Sequence, residues 1–214
     1  MIHCSRTEIM GKMKVPRDLN FRPAEDDDVP AVLEFLREST SGMLHAAWGE
    51  MGVRERLQRR GNATGIQSCT VVDYAGIIIG HELSYRDSAR SEEPAQSEAA
   101  FLLTPLRTLR MPGTWYLSSI AVSLNYRRRG IGLMLLRSSA SRAAEAGYEY
   151  LSLHVFAEKN AAMRLYIFAG LSEVGRTKLP SHPGVTASSD LLLMAGPISK
   201  ILSCRRHFES DRAT

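Results

Sequence analysis

A short basic segment that contains two glycines is the part of the sequence best suited to chemistry. Arg127-Arg128-Arg129 runs directly into Gly130-Ile131-Gly132-Leu133, and four residues separate this motif's first arginine from the apolar run Ile120-Ala121-Val122. The pattern predicts a strand, a basic loop and the first turn of a helix. Unpaired N–H groups and the helix macrodipole attract anions there, glycines admit a phosphate close to the backbone, and arginines add charged donors. A pyrophosphate is the ligand that this segment suits.

Two familiar phosphate-binding motifs do not fit the segment. A dinucleotide fingerprint needs a third glycine where this chain has Leu135, and a P-loop needs a Gly-Lys-Ser/Thr ending, which is absent. On the local motif alone, a structural alternative stays open, in which a helix begins at a glycine turn beside a solvated arginine run. Nucleic-acid binding by the three arginines ranks last, because no aromatic residues interleave with them.

The composition of the 214-residue chain is that of an ordinary globular protein, with 44% hydrophobic and 23% charged residues. No run of about 18 apolar residues predicts a transmembrane helix, and the first residues lack the apolar core of a signal peptide. Three cysteines stand far apart with no metal-ligand spacing, which favours a reducing cytoplasm over a disulfide framework or a zinc site. A net charge of +4 is too small to indicate nucleic acid and suits a pocket for an anion.

Hydrophobic periodicity and turn residues predict a mixed α/β order around one sheet. Strands and helices do not alternate strictly, which argues against a doubly wound nucleotide-binding fold. We expect one domain over residues 19–197 between irregular tails at 1–18 and 198–214, with a solvated loop at 88–98. The predicted strands lie at 20–23, 68–74, 77–85, 115–122, 148–156, 171–177 and 190–194, and the predicted helices at about 26–37, 43–59, 130–147 and 160–169.

Over about residues 20–196 the chain resembles the GNAT superfamily of N-acetyltransferases. The strand ending at Val122 is followed by the superfamily's Arg/Gln-x-x-Gly-x-Gly/Ala spacing. Downstream, Tyr166 stands four residues before Gly170, at the superfamily's Tyr-x-x-x-Gly spacing. The runs that carry the resemblance are Phe21-Arg22-Pro23-Ala24, Arg127 with Gly130 and Gly132, Leu135-Leu136, Asn160 to Tyr166, and Leu191-Leu192-Leu193-Met194.

The resemblance implies a single mixed, mostly antiparallel sheet flanked by helices, an α+β arrangement, with acetyl-coenzyme A as acetyl donor and no metal. The coenzyme's pyrophosphate would bind the N–H groups of 128–133, and its pantetheine arm would pair with the edge of strand 115–122, which splays from strand 148–156. The N–H near Val122 would polarise the acetyl carbonyl. The coenzyme-binding residues expected are Ile120, Ala121, Val122, Arg127, Arg128, Arg129, Gly130, Ile131, Gly132, Leu133 and Asn160.

The implied reaction is direct attack of a neutral amine on the thioester, with Tyr166 as general acid toward the leaving thiolate. Without the resemblance, a tyrosine packed in the core is the alternative. His154 is the candidate base, and a structural histidine or a water-relayed base are its alternatives. The superfamily places an asparagine seven residues before the tyrosine, where this chain has Lys159, so either Lys159 or Asn160 contacts the coenzyme.

The acceptor is expected to be a small-molecule amine or a peptide amine, framed by residues 39–48 and 177–189. The apolar run 101–111 is expected to line that site or to pack between two copies of the chain as a homodimer contact. No membrane or nucleic-acid partner is expected. The alternative function is a non-catalytic acyl-coenzyme A sensor or interaction module on the same fold.

Overall fold

The computed structural model describes residues 18–59, 64–87, 97–187 and 190–204. Residues 1–17 and 205–214 of the expected tails at 1–18 and 198–214, and most of the expected loop at 88–98, lie outside these ranges. The described residues form one seven-stranded sheet in the order β1-β2-β3-β4-β5-β7-β6. Its strands are β1 (Asn20–Pro23), β2 (Cys69–Tyr74), β3 (Ile77–Arg86), β4 (Trp115–Val122), β5 (Tyr150–Phe156), β6 (Ser172–Thr177) and β7 (Leu191–Pro197).

The sheet is mixed and mostly antiparallel, as the resemblance implied. Its only parallel pair among the described strands is β4 with β5, and that pair holds for three residue pairs, from Trp115↔Leu151 to Leu117↔Leu153. Every other neighbouring pair is antiparallel. The one parallel contact therefore stands at the centre of the sheet, and it is short.

Helices cover both faces of the sheet. One face carries the first three helices. Their apolar side chains pack with Val71, Leu83 and Tyr116 of the strands, or with Phe156 at the C-terminal end of β5. The other face carries the last three, packed around Leu117, Leu153 and Met194. In the described ranges these helices are α1 (Val29–Ser39), α2 (Met43–Gln58), α3 (Glu98–Thr108), α4 (Ile131–Glu145), α5 (Asn160–Phe168) and α6 (Ile198–Ser203).

Most element positions agree with the sequence prediction, and three features do not. Helix α2 is interrupted at Gly49, whose φ of 68° and ψ of 167° are not helical. Helix α3 lies in a region for which no helix was predicted; the Ser97 hydroxyl caps it by accepting the Ala100 N–H at 3.0 Å. Helix α6 follows the last strand directly. In the described ranges no helix is both long and apolar enough to cross a membrane.

Helix α6 extends the packed chain beyond residue 197, where we expected the domain to end. Ile198 and Ile201 lie one helical turn apart and are fully buried against the core below α4. Cys204, at the end of the described chain, packs against the same cluster. The packed core therefore extends into residues 198–203.

We expect Ile201→Ala to lower the free energy of unfolding by about 2–5 kcal/mol, because it removes buried methyl groups and leaves a cavity. Urea denaturation followed by circular dichroism measures the change. Ile167→Ala is the matched control, since Ile167 is 58% exposed, and its effect should stay within about 0.5 kcal/mol. Equal effects of the two substitutions would show that α6 is not part of the core.

Candidate active site

A cavity of about 690 Å³ opens where β4 and β5 stop pairing. Beyond Leu117 and Leu153 the two strands diverge, and residues from both line the cavity between them. The end of α1, the loop before α4 and the start of α5 complete the walls. The splay that the resemblance implied for these two strands is confirmed. The volume of the cavity is typical of a site for a small molecule or a cofactor.

The backbone of β4 presents hydrogen-bonding groups to this cavity. The Ser123 N–H donates to the Ile79 carbonyl of β3 at 2.8 Å. Because backbone groups alternate along a strand, those of Ala121 also turn toward β3, whereas those of Ile120 and Val122 turn toward the cavity. The Arg127 Nε confirms the direction, since it donates to the Val122 carbonyl at 2.8 Å from that side. Ile120 and Val122 thus form an open edge, while Ala121 belongs to the ladder with β3.

A β-bulge in β4 stands beside the open edge. The register with β3 passes from Leu83↔Ser119 to Ser84↔Leu117, so Ser118 has no opposite residue. A bulge turns successive side chains toward one face instead of opposite faces. Ser118 and Ser119 consequently both contact the side of the sheet that carries α1, where Ser118 also lines a second cavity.

The N-terminus of α4 points at the same gap. Gly130, with φ of 86°, takes the left-handed conformation that begins the helix, and Arg128 before it has φ of 65°. The first inner bonds run from the N–H groups of Leu133 and Met134 to the Gly130 carbonyl, at 3.0 and 3.1 Å. The N–H groups of Ile131 and Gly132 precede these bonds and have no partner inside the helix. They, rather than Leu133, can hold an anion.

The structure separates the three arginines that the sequence grouped together. Arg127 pairs with the carboxylate of Glu38 as well as with the Val122 carbonyl. Arg129 lies over the Tyr126 ring, 5.3 Å from its centroid, and donates to the Asn125 carbonyl at 3.1 Å. Arg128 is exposed and makes no such contact among the described residues. Arg128 is thus the member of the run best placed to contact a bound phosphate.

Glu38 spans the mouth of the cavity. It lies at the end of α1, and besides its ion pair with Arg127 its backbone carbonyl accepts a hydrogen bond from the Lys159 Nζ at 3.2 Å. Lys159 and Asn160 both line the cavity at the start of α5. Lys159, which stands where the superfamily has asparagine, is therefore held by α1, and Asn160 lies directly beside it.

Tyr166 lies inside the cavity wall on α5. It is only 4% exposed and belongs to the apolar cluster between α4, α5 and the sheet. Burial raises the pKa of its phenol well above the usual value near 10, because the phenolate would lose its hydration. Tyr166 therefore carries its proton throughout the neutral range.

His154 has both ring nitrogens in hydrogen bonds. Its Nε2 is 2.7 Å from the Leu109 carbonyl, which can only accept, so Nε2 bears the hydrogen. Its Nδ1 then accepts the Tyr116 hydroxyl at 2.8 Å. His154 lines the cavity, but the two bonds engage both nitrogens in tying α3 to the sheet. This arrangement favours the structural alternative over the role of base.

Sequence reasoning did not connect three residues that the structure brings together beside the bulge. The Ser119 hydroxyl lies 2.7 Å from the Ser39 hydroxyl and 2.7 Å from the Nε2 of His81. Ser39 and Ser119 line the cavity, and His81 is fully buried behind them. Only tertiary packing shows that the end of α1 meets Ser119 and His81, because Ser39 lies 80 residues before Ser119 in the chain.

A second, smaller cavity of about 110 Å³ lies on the α1 face of the sheet. It is lined by apolar and aromatic side chains of α1, α2, α3 and the central strands, and by Arg56 and Arg107, with no carboxylate among its described lining residues. Leu103 and Leu106 of the run 101–111 line it. Ser118 lines both cavities and so stands between them.

A family model for the GNAT acetyltransferases matches residues 33–170. This match covers the splayed strands, the loop before α4 and all of α5, and so contains both the open edge and Tyr166. No curated protein shows significant similarity to the sequence.

Solved structures show the same fold at low identity. The ribosomal-protein-S18-alanine N-acetyltransferase of Escherichia coli aligns with a TM-score of 0.56 at 20% identity, over 84% of this chain and 94% of that one. A ribosomal-protein-alanine N-acetyltransferase of Brucella melitensis gives 0.57 at 22%, over 83% and 99%. The diaminobutyrate acetyltransferase of Paenibacillus lautus, solved with its substrate and coenzyme A, gives 0.57 at 21%, over 85% and 96%.

The burial of Tyr166 has a consequence for stability in alkali. Above pH 10 an unfolded tyrosine loses its proton while folded Tyr166 keeps it, so the unfolded state binds fewer protons and stability falls as pH rises. We expect the wild type to lose up to about 1.4 kcal/mol per pH unit more than Tyr166→Phe above pH 10. Urea unfolding of both proteins at pH 8, 10 and 11 measures this. Parallel stability curves would contradict it.

Proposed function

The chain belongs to the GNAT acetyltransferase family, and we propose that it transfers the acetyl group of acetyl-coenzyme A to a primary amine by direct attack. One observation carries the proposal: the open edge of Ile120 and Val122, the N-terminus of α4, Tyr166 and the side chains of Ser39 and Ser119 all line one cavity. They supply an anion site, backbone groups for an amide-containing arm, and a proton donor.

The residues present fit the coenzyme. The N–H groups of Ile131 and Gly132 and the guanidinium of Arg128 would hold the pyrophosphate, since charge-assisted bonds and the helix dipole act together there. The carbonyl of Ile120 and one of the two N–H groups of Ile120 and Val122 would pair with the pantetheine arm, as an added strand pairs with a sheet edge, and the other N–H is left for the acetyl carbonyl. The Val122 carbonyl is already used by Arg127.

The chain's own groups would promote the acetyl transfer beside this edge. A thioester supplies an activated acyl carbon. The amine nitrogen forms a bond to that carbon, the carbon–sulfur bond breaks, and the electron pair leaves on sulfur. Tyr166 donates a proton to the sulfur, and the amine loses one to solvent, which returns one to Tyr166. An N–H of the open β4 edge polarises the carbonyl during the attack.

A buried tyrosine suits the role of acid toward a thiolate. Burial raises the pKa of the Tyr166 phenol because the anion is poorly solvated. The same apolar surroundings destabilise a leaving thiolate and make it a stronger base. The pKa values of the phenol and of the leaving thiol thus rise together. Transfer of the proton to sulfur neutralises the negative charge that the thiolate would otherwise place in the cavity.

The acceptor would reach the acyl carbon from the α1 face. The smaller cavity there shares the lining residue Ser118 with the larger one. Its described lining is mainly apolar and has no carboxylate, so it gives no second site for a positive charge. We therefore propose a small-molecule or peptide amine with an apolar substituent instead of a polyamine.

The first test is turnover. Purified protein is incubated with acetyl-CoA and a panel of alkylamines, amino acids, polyamines and short peptides, and the release of free thiol is measured. We expect turnover with at least one amine, and Tyr166→Phe should lower kcat by about a hundredfold, the usual effect of losing a general acid. Affinity for coenzyme A should be unchanged. Coenzyme binding without turnover of any amine would instead support the sensor alternative.

The second test concerns the anion site. Gly130→Asp places a carboxylate beside the expected pyrophosphate, and we expect the Kd for coenzyme A in calorimetry to rise by about thirtyfold, or roughly 2 kcal/mol. Gly147→Asp is the matched control, because Gly147 also has a left-handed φ, 81°, but lies after the C-terminal end of α4. Equal affinities of the two variants would place the pyrophosphate elsewhere.

A further inference from the structure

We propose that Ser39 and Ser119 form an acceptor-only patch that binds the N–H groups of the attacking amine, and that buried His81 sets this polarity as a positioning residue. The proposal rests on the acetyl transfer proposed above and concerns how the amine is held. It depends on the direction of one chain of hydrogen bonds, and the contacts at both ends of that chain favour the same direction.

The outer end of the chain is a backbone carbonyl. The Ser39 hydroxyl donates to the Leu36 carbonyl at 3.3 Å, and a carbonyl can only accept. A hydroxyl has a single hydrogen, so when Ser39 donates it to Leu36, the Ser39 oxygen accepts in its 2.7 Å bond with Ser119. Ser119 therefore donates to Ser39. In its own 2.7 Å bond with His81, Ser119 has no hydrogen left to give and accepts from Nε2.

The inner end of the chain gives the same direction. The Nδ1 of His81 is buried and has no hydrogen-bond partner among the described residues. An unpaired N–H is costly in such a place, so the hydrogen belongs on Nε2, where it has Ser119 as its acceptor. Burial lowers the pKa of His81 to about 3, which keeps the ring neutral with this one hydrogen. Phe35 stacks on the ring at 5.5 Å between centroids and fixes its plane.

Each serine oxygen has thus accepted one hydrogen bond and donated its only hydrogen. What remains on each is a lone pair, and both residues line the larger cavity next to the open β4 edge. A patch of this kind accepts N–H groups and cannot donate to a nitrogen. This matters for a nucleophile, because a hydroxyl that donated to the amine would occupy the lone pair needed for attack. The patch binds the amine and leaves that pair available.

The location fits the amine rather than the coenzyme. Ser119 lies between Ile120 of the open edge and Ser118, which lines both cavities. The serine pair belongs to the α1 face, from which the acceptor enters, whereas Tyr166 packs in the cluster on the opposite face. The amine and the leaving sulfur would thus be handled from opposite faces of the sheet.

The test compares four variants with the panel amine that the wild type acetylates fastest. Ser119→Ala removes one acceptor, and His81→Leu releases the Ser119 hydroxyl to donate. We expect each to raise KM for the amine about tenfold, the effect of losing one hydrogen bond, with Kd for coenzyme A within about twofold of wild type. His81→Gln can place an amide donor near the position of Nε2, and it should recover most of the loss. Ser172→Ala, on exposed β6, is the control and should change nothing.

Two outcomes would overturn the proposal while leaving the acetyl transfer intact. One is an amine KM that stays within about twofold of wild type in Ser119→Ala and His81→Leu. The other is a loss of coenzyme affinity in parallel with the rise in the amine KM. That result would show that the hydrogen bonds among Ser39, Ser119 and His81 have only a structural role. Absence of turnover in the wild type itself would instead refute the proposed function.

A measurement on the wild type keeps the proposal testable if His81→Leu does not fold. In ¹⁵N-histidine-labelled protein at pH 7, long-range ¹H–¹⁵N correlations distinguish the two neutral tautomers of each ring. We expect His81 to carry its hydrogen on Nε2. A hydrogen on Nδ1 would reverse the chain and overturn the assignment.

Discussion

The site depends on the limited pairing of two parallel strands at the centre of the sheet. β4 and β5 share three residue pairs and then separate, so the sheet is continuous below Leu117 and open above it. A strand edge in the middle of a sheet is normally satisfied by its neighbour. Here the backbone groups of Ile120 and Val122 are left for a ligand. Every other feature of the site is placed relative to this edge.

A buried polar network holds α4 against the sheet beside the gap. Arg142 of α4 donates to the fully buried carboxylate of Glu82 on β3, and Ser84 accepts hydrogen bonds from Trp115 and from Ser139 of α4. Burial raises the pKa of Glu82, and the charge of Arg142 opposes that rise. Such a network is costly to bury and costly to break, which makes the placement of α4 specific. The helix N-terminus consequently points at the opening.

Local sequence patterns predicted much of the fold but only part of the site. The strand at Trp115–Val122 and the turn at Gly130 follow from apolar runs and glycine, which act over a few residues. Helix α3 escaped prediction because Pro105 interrupts its pattern, and its burial comes from distant helices. The hydrogen bond of Ser39 joins α1 to Ser119 of β4, 80 residues later. The ion pair of Glu38 joins α1 to Arg127 in the loop after β4, 89 residues later. No local spacing in the sequence specifies such contacts.

The position of Glu38 has a consequence for the entry of ligands into the cavity. Its carboxylate forms an ion pair with Arg127, and its backbone carbonyl accepts a hydrogen bond from Lys159. Both partners of the ion pair are more than a third exposed, and exposed pairs contribute about 1 kcal/mol or less. A polyanionic ligand can displace the Glu38 carboxylate, because it offers Arg127 and Lys159 a stronger counter-ion. Because salt screens exposed ion pairs, a higher ionic strength would weaken the contact between Glu38 and Arg127.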